Sequence, residues 1–438
     1  MFTLEPLLLL YILPFAVFLV IYQWARAWSE KAAKRRLDDA VRSHMTEPPT
    51  LHPIIDPSKC LGCGACVNAC PEGDVLGLIG GKSVLINGAN CIGHGACKAA
   101  CPFDAIDLVF GTAKRGVSIP VLSPDFETTL SGVFVAGELG GMGLIRNAIM
   151  QGSQAVTSAA SFLKQVPKSE HSDLLIIGAG PAGIAAALQA KALGLVATVI
   201  EQSEDLGGTV ANFPKNKLVM TAPVELPLVG KLKFRETSKE ALLDFWTEVI
   251  EEHQPNIRFG AQMLSVEGKA PLFRVQTTIG EFCARGVILA LGRRGTPRKL
   301  DVSGEHLSKV VYRLADPEQY ADQRVLVVGG GDSAIEAACD IADAQREPNV
   351  ALSYRGEGFA RAKLKNRRRI AGLEASGRLQ VLLGSNVIKI SDDSVTLQTG
   401  NVEEEVANDA VLICAGGVLP NALLEKIGVS MDVKYGTP

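Results

Sequence analysis

Seven cysteines and one histidine form two closely similar runs in the first quarter of the chain. The first run contains Cys60, Cys63, Cys66 and Cys70, followed by Pro71. The second run keeps that spacing with Cys91, His94, Cys97 and Cys101, followed by Pro102. Cysteines spaced in this way are typical of iron–sulfur proteins, in which the fourth cysteine of one run ligates the other cluster. The spacing therefore predicts an electron carrier.

The runs resemble those of bacterial two-cluster ferredoxins, and that resemblance implies two [4Fe-4S] clusters. The crossing rule assigns cluster one to Cys60, Cys63, Cys66 and Cys101, and cluster two to Cys70, Cys91, Cys97 and His94. A neutral imidazole in place of a thiolate would raise the potential of cluster two, as it does in Rieske centres. Two alternatives stay open: His94 only hydrogen-bonds beside a three-cysteine [3Fe-4S] cluster, or there is no second cluster.

Composition limits the classes of protein to consider. The chain has 438 residues and a net charge of −3, so about two to four domains fit and no nucleic-acid partner is indicated. The remaining cysteines, Cys283, Cys339 and Cys414, stand singly and are expected to be buried structural thiols. Cysteine is thus expected to bind metal rather than to form disulfides, which indicates a reducing compartment.

An uncharged apolar run at residues 7–22 predicts a single transmembrane helix within residues 1–28. Trp24 and Trp28 would lie at the membrane interface, and the basic residues from Arg26 onward would face the cytoplasm. The expected location is the inner (cytoplasmic) membrane, with one pass and the catalytic domains in the cytoplasm. A cleaved signal peptide is the alternative, although no basic residue precedes the apolar run.

From Asp173 onward, predicted strands alternate with predicted helices, which is typical of an α/β fold. The first strand, at 173–177, leads into a glycine-rich turn with the cofactor-binding candidates Gly178, Gly180, Pro181, Ala182 and Gly183. Such glycines permit a tight turn, approach of the backbone to a pyrophosphate and close helix–strand packing. Glu201 ends the next strand, where a carboxylate would bind ribose hydroxyls.

A second turn of this kind follows a predicted strand at 324–328. Its cofactor-binding candidates are Gly329, Gly331, Asp332, Ser333 and Ala334. The next strand ends in Arg355 instead of an acid, and Arg361 follows, so the pair would bind a 2′-phosphate and favour NADPH over NADH. Alternatively, both are surface residues. Six of the nine residues at 361–369 are basic, which is typical of a solvated face and would also suit an acidic partner.

Five segments of this region resemble those of thioredoxin-reductase-like flavoproteins, and most of all the bacillithiol disulfide reductase branch. In order they are GAGPAG (178–183), LGGTVANFP (206–214), LALGRRGTPRKLDVSGE (289–305), VVGGGDSAIEAA (327–338) and SYRGEGFAR (353–361). The resemblance implies FAD on the first Rossmann-type unit, with Gly207, Gly208 and Gly292 as further candidates. It implies NADPH, or NADH, on the second unit.

Two features depart from that family. Residues 311–316, where thioredoxin reductases carry Cys-x-x-Cys, contain no cysteine, which excludes a relay through a protein dithiol. The family's closing flavin-binding segment is matched at 129–138, before the first Rossmann strand. This order predicts a circular permutation in which Gly137 and Glu138 contact FAD and a helix from about Leu144 points its N-terminus at the flavin. It also predicts that Pro438 lies close to residues 115–127.

The expected fold class is α/β, with two Rossmann-type dinucleotide-binding domains, a small α+β ferredoxin domain and an N-terminal transmembrane helix. The expected boundaries are an anchor at 1–28, a juxtamembrane helix and linker at 29–53, the ferredoxin domain at 54–109, a permuted FAD-domain segment at 110–166, the FAD-binding domain at 173–296, the NAD(P)-binding domain at 297–408 and an FAD-domain return segment at 409–438.

Together these features predict a membrane-anchored NAD(P)H:acceptor oxidoreductase. Electrons would pass between NADPH, FAD and the two clusters, because flavin couples two-electron nicotinamide chemistry to one-electron carriers. The expected partner is a ferredoxin or a membrane redox protein, and a homodimer is a further expectation. No catalytic acid or base is predicted. The alternatives are a low-molecular-weight disulfide reductase with regulatory clusters and a non-enzymatic iron–sulfur redox sensor.

Overall fold

The computed structural model describes residues 6–42, 46–48, 51–91, 93–113, 116–141, 143–213, 215, 218–220, 223–233, 236–293, 295–359 and 362–436. For residues 6–12, 218, 220, 236 and 296 it describes the backbone alone. The chain divides into two compact units. Residues 1–116 and 435–438 form the first unit, and residues 117–434 form the second unit.

The first unit contains short elements around the two cysteine runs. Its helices are α1 (Pro6–Arg42), α2 (Ala65–Ala69) and α3 (Ala96–Ala99). Its strands are β1 (His52–Ile55), β2 (Leu76–Ile79), β3 (Lys82–Leu85) and β4 (Ile106–Val109). β1 pairs antiparallel with β4, and β2 pairs antiparallel with β3. Because α2 and α3 each end before the last cysteine of a run, that cysteine is free to reach across the small core.

The last two residues of the predicted linker segment 29–53 already belong to strand β1, which begins at His52. His52 pairs with Val109 and Ile55 pairs with Ile106. Pro53 is tolerated within β1 because a proline on an edge strand need not donate a ladder hydrogen bond. The ferredoxin-like fold therefore begins at residue 52 instead of residue 54.

Helix α1 is continuous from Pro6 to Arg42 and includes Pro14. Its C-terminal half packs on the first unit, where Ala33 and Ala40 are buried. The Arg36 guanidinium lies 2.7 Å from the Asp74 carboxylate. These contacts hold the C-terminal half of α1, up to Arg42, against the rest of the first unit.

The transmembrane prediction is corrected by the structure. In the helices that the structure describes, no stretch is both long enough and apolar enough to cross a membrane. In α1 the apolar run at 7–22 is followed by Gln23, Arg26 and Glu30 in the same helix. At about 1.5 Å per residue a run of this length covers roughly 24 Å, less than a bilayer core of about 30 Å. The predicted anchor at 1–28 and the predicted inner-membrane location are therefore wrong.

The second unit contains the remaining elements. Its helices are α4 (Ile145–Leu163), α5 (Pro181–Ala192), α6 (Lys239–His253), α7 (Asp332–Ala344), α8 (Leu364–Ala375) and α9 (Asn421–Lys426). Its strands are β5 (Val117–Pro120), β6 (Val133–Val135), β7 (Ser172–Ile177), β8 (Ala197–Ile200), β9 (Leu218–Met220), β10 (Val224–Leu226), β11 (Gly230–Leu232), β12 (Glu236–Ser238), β13 (Asn256–Arg258), β14 (Met263–Lys269), β15 (Leu272–Thr277), β16 (Gly280–Leu289), β17 (Thr296–Pro297), β18 (Val310–Val311), β19 (Val325–Val328), β20 (Val350–Tyr354), β21 (Gln380–Leu383), β22 (Ser385–Ile390), β23 (Ser394–Thr399), β24 (Val402–Ala407), β25 (Ala410–Ile413), β26 (Gly417–Val418) and β27 (Met431–Lys434).

The larger sheet has the order β13-β8-β7-β16-β15-β14, and β6 pairs with β16. The neighbours β13, β8, β7, β16 and β6 are parallel, whereas β14 and β15 add antiparallel pairs. Helix α5 connects β7 to β8, as the sequence predicted for the first Rossmann-type unit. Residues 133–135 of β6, 174–177 of β7 and 287–289 of β16 are apolar and buried, as expected where helices cover both faces of a parallel sheet.

The smaller parallel sheet has the order β18-β25-β19-β20-β21, and α7 connects β19 to β20. Strands β22, β23 and β24 form a separate antiparallel sheet. β25 pairs with β19, Ala410 opposite Val325, so it belongs to the second Rossmann-type sheet. Residues 410–413, at the start of the predicted return segment 409–438, thus pair within this sheet.

The segment that precedes the first Rossmann strand is part of the larger sheet. In β6, Val133 pairs with Val287 and Val135 pairs with Leu289, and all three β6 side chains are buried. Near the other end of the chain, β27 pairs antiparallel with β5. The second unit begins at Val117, later than the predicted boundary at 110. Pro438 lies outside the described residues, but β27 lies beside residues 117–120, as the permuted order requires.

Candidate functional site

The first cavity lies in the first unit and is lined by four of the predicted ligands, Cys60, Cys63, Cys66 and Cys101. Gly62 and Gly64, at φ +68° and +79°, turn the chain between the first three thiols, which line the same cavity. A Cβ at Gly62 would lie 1.9 Å from the carbonyl oxygen of Gly81, so only glycine fits there. The loop before α2 thus depends on glycine for its shape.

The second cavity is lined by the other four, Cys70, Cys91, His94 and Cys97. Gly93 and Gly95, at φ +78° and +73°, repeat the turns of the first loop. The imidazole therefore stands where the first loop carries a thiol. Each cavity combines three residues of one run with the last cysteine of the other, which is the grouping that the crossing rule predicts.

No group of three or more His, Cys, Asp or Glu side chains among the described residues is close enough together to hold one metal ion. A single ion requires ligand atoms about 2.0–2.3 Å from one point. In a [4Fe-4S] cluster each ligand binds a different iron atom, so the ligands are spread around a larger body. Ligand side chains that line one cavity without meeting at one point therefore fit a cluster better than a single ion. Ligation by the eight residues stays a prediction.

Burial governs the acid–base state of the thiols in the second cavity. Desolvation raises the pKa of Cys91 to about 11. It also raises the pKa values of Cys70 and Cys97. Iron must bind thiolates, so cluster assembly has to release these protons, and the neutral thiol is the stable form of the protein without iron.

His94 is half-buried and faces an acidic neighbour. Desolvation lowers its pKa, and the nearby Glu72 carboxylate opposes that shift. The His94 Nε2 atom lies 4.0 Å from Glu72 Oε1, which is beyond hydrogen-bond distance. A lowered pKa favours the neutral imidazole, and the neutral imidazole is the form that binds metals.

The first glycine-rich turn in the second unit connects β7 to α5. Gly178 has φ +110°, and a Cβ at Gly183 would lie 1.8 Å from the Gly178 carbonyl oxygen. The Glu201 carboxylate accepts hydrogen bonds from the Ala179 and Ser203 amides, at 2.7 and 2.9 Å. Glu201 therefore braces the turn itself, a role that the sequence did not reveal, and ribose binding by its remaining lone pairs stays a prediction.

The face of this turn is open where a pyrophosphate would approach. The nearest atom to a Cβ at Gly180 would be the Gly208 Cα, 3.9 Å away. Gly207 and Gly208 both have positive φ, +104° and +56°, and the Gly207 amide donates to the Ala179 carbonyl at 3.1 Å. Two backbones without side chains thus face one another, which fits a nucleotide that must pass close to the chain.

Gly137, in the segment that precedes the first Rossmann strand, lies next to the same turn. A Cβ at Gly137, where φ is +81°, would lie 2.9 Å from the Ala182 Cβ. The Gly137 amide donates to the buried Gln151 side chain at 3.0 Å. Gln151 was missed by sequence reasoning because a glutamine within a helix carries no signal of its partner. The structure therefore brings Gly137 and the first turn together.

Three more features complete this side of the site. Helix α4 begins at Ile145, next to the predicted start at Leu144. Gly292 has φ +66°, and a Cβ added there would lie 3.8 Å from Thr209 Oγ1, so Gly292 lies beside Thr209. Glu138 lies in the turn at Gly137–Gly140, and its Oε1 atom is 3.3 Å from the Cβ position of Gly143.

The second glycine-rich turn connects β19 to α7. A Cβ at Gly329, at φ +145°, would lie 2.4 Å from the Cys414 carbonyl oxygen, whereas no atom lies within 4 Å of that position at Gly331. The Asp332 carboxylate accepts from the Lys363 amide at 2.8 Å and from Asn366 Nδ2 at 2.7 Å. Asp332 thus fixes the start of the basic stretch against the turn. Ser333 is exposed and Ala334 is buried.

The end of β20 carries an aromatic residue that the sequence did not identify as part of the site. A Cβ added at Gly330 would lie 2.3 Å from the Tyr354 ring. The same ring stacks on Phe359, with 5.7 Å between the ring centroids. Arg355 is exposed, and Arg361 lies outside the described residues. In the basic stretch, Arg369 pairs with Asp340 and Asp343 at 2.6 and 2.5 Å.

Comparison with known proteins decides the family. A family model described as pyridine nucleotide-disulphide oxidoreductase matches residues 175–437, more than half of the chain. The chain belongs to this family. A second model, described as a 4Fe-4S dicluster domain, matches residues 52–102 and includes both cysteine runs. This member of the pyridine nucleotide-disulphide oxidoreductase family is an FAD-dependent oxidoreductase with an iron–sulfur domain.

Individual relatives agree with that assignment. Bacilliredoxin reductase Bdr of Bacillus subtilis (strain 168) is 28% identical over 271 residues, 60% of this chain and 82% of the relative. A ferredoxin–NADP reductase of Thermus thermophilus is 28% identical over 288 residues, 61% of this chain and 82% of the relative. The structure of bacillithiol disulfide reductase Bdr from Bacillus cereus has a TM-score of 0.52 at 24% identity, covers 60% of this chain and 82% of its own, and shares the fold. The predicted thioredoxin-reductase-like fold is confirmed.

Proposed function

We propose that this protein passes electrons between NADPH, FAD and two [4Fe-4S] clusters and exchanges them with a ferredoxin or another small redox protein. The observation that carries the proposal is the grouping of the eight predicted ligands into two cavities, four to each. FAD, when bound, couples the two-electron chemistry of nicotinamide to one-electron carriers. A chain with two dinucleotide-binding turns and two thiol-lined cavities combines the parts that such a transfer requires.

The residues around the first turn fit FAD. Gly180 and Gly208 leave the backbone accessible to a pyrophosphate, and the N-terminus of α5 would favour its negative charge. Gly137 is held beside Ala182, so the permuted segment would approach the flavin end of the cofactor. In this proposal these residues bind and orient the flavin, and no side chain has to move a proton.

The residues around the second turn fit a nicotinamide nucleotide. Gly331 is open on the side where the pyrophosphate would lie, and α7 begins at the adjacent Asp332. Arg355 is exposed at the end of β20, where a guanidinium would pair with a 2′-phosphate. This arrangement supports NADPH as the preferred donor.

The choice of a redox protein as partner has support in the comparisons. The Thermus thermophilus relative is named a ferredoxin–NADP reductase. Residues 311–316 carry no cysteine, and the lone Cys283, Cys339 and Cys414 cannot provide a Cys-x-x-Cys pair. Electrons that leave the flavin therefore have the clusters as their outlet in this chain.

Mixing the protein with NADPH under anaerobic conditions tests the proposal. Flavin absorbance should bleach first, and cluster signals should then appear in electron paramagnetic resonance spectra, followed by reduction of an added ferredoxin. Bleached flavin beside clusters that stay oxidised, although their measured potentials allow reduction, would contradict the proposal. A Cys60→Ala variant should keep flavin bleaching and lose electron delivery to the ferredoxin.

A second candidate is a low-molecular-weight disulfide reductase with regulatory clusters. Its support is the Bacillus subtilis relative, which is named a bacilliredoxin reductase. This alternative predicts NADPH-dependent reduction of a small disulfide that survives in the Cys60→Ala variant. Loss of all turnover in that variant would favour electron transfer through the clusters.

A further inference from the structure

Ser83 in β3 borders the first cavity and is almost fully buried, at 5% exposure. Its backbone amide donates to the Cys60 sulfur at 3.4 Å. Its hydroxyl oxygen lies 3.2 Å from the Cys66 sulfur. A protonated thiol donates to the hydroxyl, but an iron-bound thiolate has no proton, so the hydroxyl must then donate to sulfur. One residue thus provides two donors to two of the four predicted ligands of cluster one.

The second cavity has no such feature among the residues that the structure describes. None of the side chains described as lining that cavity carries a hydroxyl group. Backbone amides face sulfurs in both cavities: the Ala105 amide donates to the Cys101 sulfur at 3.4 Å in the first, and the Gly93 amide donates to the Cys91 sulfur in the second. The buried hydroxyl of Ser83 therefore distinguishes the described lining of the first cavity from that of the second.

Reduction of an iron–sulfur cluster adds one negative charge, which is shared with its thiolate ligands. Hydrogen bonds to those sulfurs are stronger in the reduced state and raise the reduction potential. We propose that Ser83 is a positioning residue that raises the potential of cluster one through its hydroxyl group. The proposal rests on the part of the proposed function that assigns Cys60 and Cys66 to that cluster.

An anaerobic redox titration with dithionite and mediators, followed by electron paramagnetic resonance, tests the role of Ser83. In the Ser83→Ala variant the ratio of reduced to oxidised cluster should fall about tenfold at a fixed ambient potential, for one cluster only. For a one-electron couple this is about 59 mV. Ser83→Thr keeps the hydroxyl and should keep the midpoint. The exposed Ser58, whose hydroxyl donates to Asp56 at 2.6 Å, provides a matched control, and Ser58→Ala should leave both midpoints unchanged.

The titration needs neither NADPH nor flavin, so its outcome is independent of whether electrons reach the clusters from the nucleotide. If Ser83→Ala does not retain cluster one, as judged by iron and sulfide content, Ser83→Cys keeps the cavity filled with a weaker donor. It should then show a smaller shift in the same direction. The proposal is overturned if the Ser83→Ala midpoints equal those of the unmodified protein, or if the Ala and Thr variants show equal shifts. It is also overturned if Ser83→Ala shifts the cluster signal that His94→Cys shifts, because His94 is assigned to cluster two.

Discussion

Lys434 pairs with Val117 at the end of a two-stranded antiparallel sheet formed by β27 and β5. Met431 and Pro120 form the other end of the same sheet. In a chain without permutation, a short turn between Lys434 and Val117 would make this sheet a β-hairpin. The pairing agrees with a chain in which the predicted flavin-binding segment precedes the first Rossmann strand and β6 still joins its sheet. The ends of the second unit lie side by side, which is where a permuted chain can be opened.

Close packing of α4 on α5 should be necessary for FAD binding. A Cβ at Gly152 would lie 2.2 Å from the Ala182 carbonyl oxygen, next to the predicted flavin site. Gly152→Ala should force the helices apart, lower the free energy of unfolding by about 1–3 kcal/mol and reduce the FAD retained on purification. Flavin absorbance per chain and thermal unfolding measure both effects.

Ser153 is the matched control, because it is the next residue of α4 and only donates to the Ile149 carbonyl at 3.2 Å. Ser153→Ala should keep full FAD content. Equal FAD content in the Gly152 and Ser153 variants would show that helix contact does not position the cofactor.

The loop before α2 should tolerate no side chain at Gly62. A Cβ there would lie 1.9 Å from the Gly81 carbonyl oxygen, so Gly62→Ala must displace backbone beside the first cavity. We expect the variant to lose one of the two predicted clusters, about half of the iron. Gly73 has a similar φ of +74° but no atom within 4 Å of its Cβ position. Gly73→Ala should carry only a conformational cost of about 1–2 kcal/mol and keep its iron. Equal iron in both variants would contradict the steric explanation.

The sequence was sufficient for the features that depend on local spacing. The two cysteine runs, the glycine-rich turns and the αβ alternation predicted the cavities and both sheets, because each is specified by neighbouring residues. Contacts across the chain were beyond such reasoning. The local sequence around Ser83 does not reveal that this residue faces two thiols. Likewise, the sequence of α4 does not reveal that the Gln151 side chain accepts a hydrogen bond from the Gly137 amide. The apolar run at 7–22 was misread because it is slightly shorter than the roughly 17–25 residues that cross a bilayer, and charged residues follow it in α1.

His94 should set the potential of cluster two. Replacing a neutral imidazole by a thiolate adds one negative charge to the cluster, which stabilises its oxidised state. His94→Cys should therefore lower the midpoint of one cluster signal and leave the other in place, as followed by an anaerobic titration. The absence of a shift in either signal would remove His94 from the ligands.

The buried Cys91 thiol of the iron-free protein should resist alkylation up to high pH. Burial raises the pKa of Cys91 from 9.0 to about 11, and only the thiolate is a nucleophile. The neutral form is favoured by the fold, so its contribution to stability is complete below pH 9 and is lost as the pH rises through about 11. Peptide mass spectrometry after iodoacetamide treatment should show Cys91 modified only in that range, while the exposed Cys63 reacts earlier. Modification of Cys91 well below pH 9 would contradict the buried environment.

Arg355 should select NADPH over NADH. Its side chain is exposed at the end of β20. A guanidinium paired with a 2′-phosphate contributes about 1.5–3 kcal/mol of binding free energy. Because each 1.4 kcal/mol changes affinity roughly tenfold, this contact should raise the affinity for NADPH at least about tenfold. Arg355→Ala should raise KM for NADPH at least about tenfold, leave KM for NADH unchanged and leave kcat near its original value. Arg368 in α8 is also exposed and carries the same charge, so Arg368→Ala is the control. If the nucleotide is attracted only by the overall positive charge, the two variants should weaken its binding alike. If Arg355→Ala and Arg368→Ala raise KM by the same factor, the basic stretch attracts the nucleotide by its net charge, and Arg355 makes no specific contact with the phosphate.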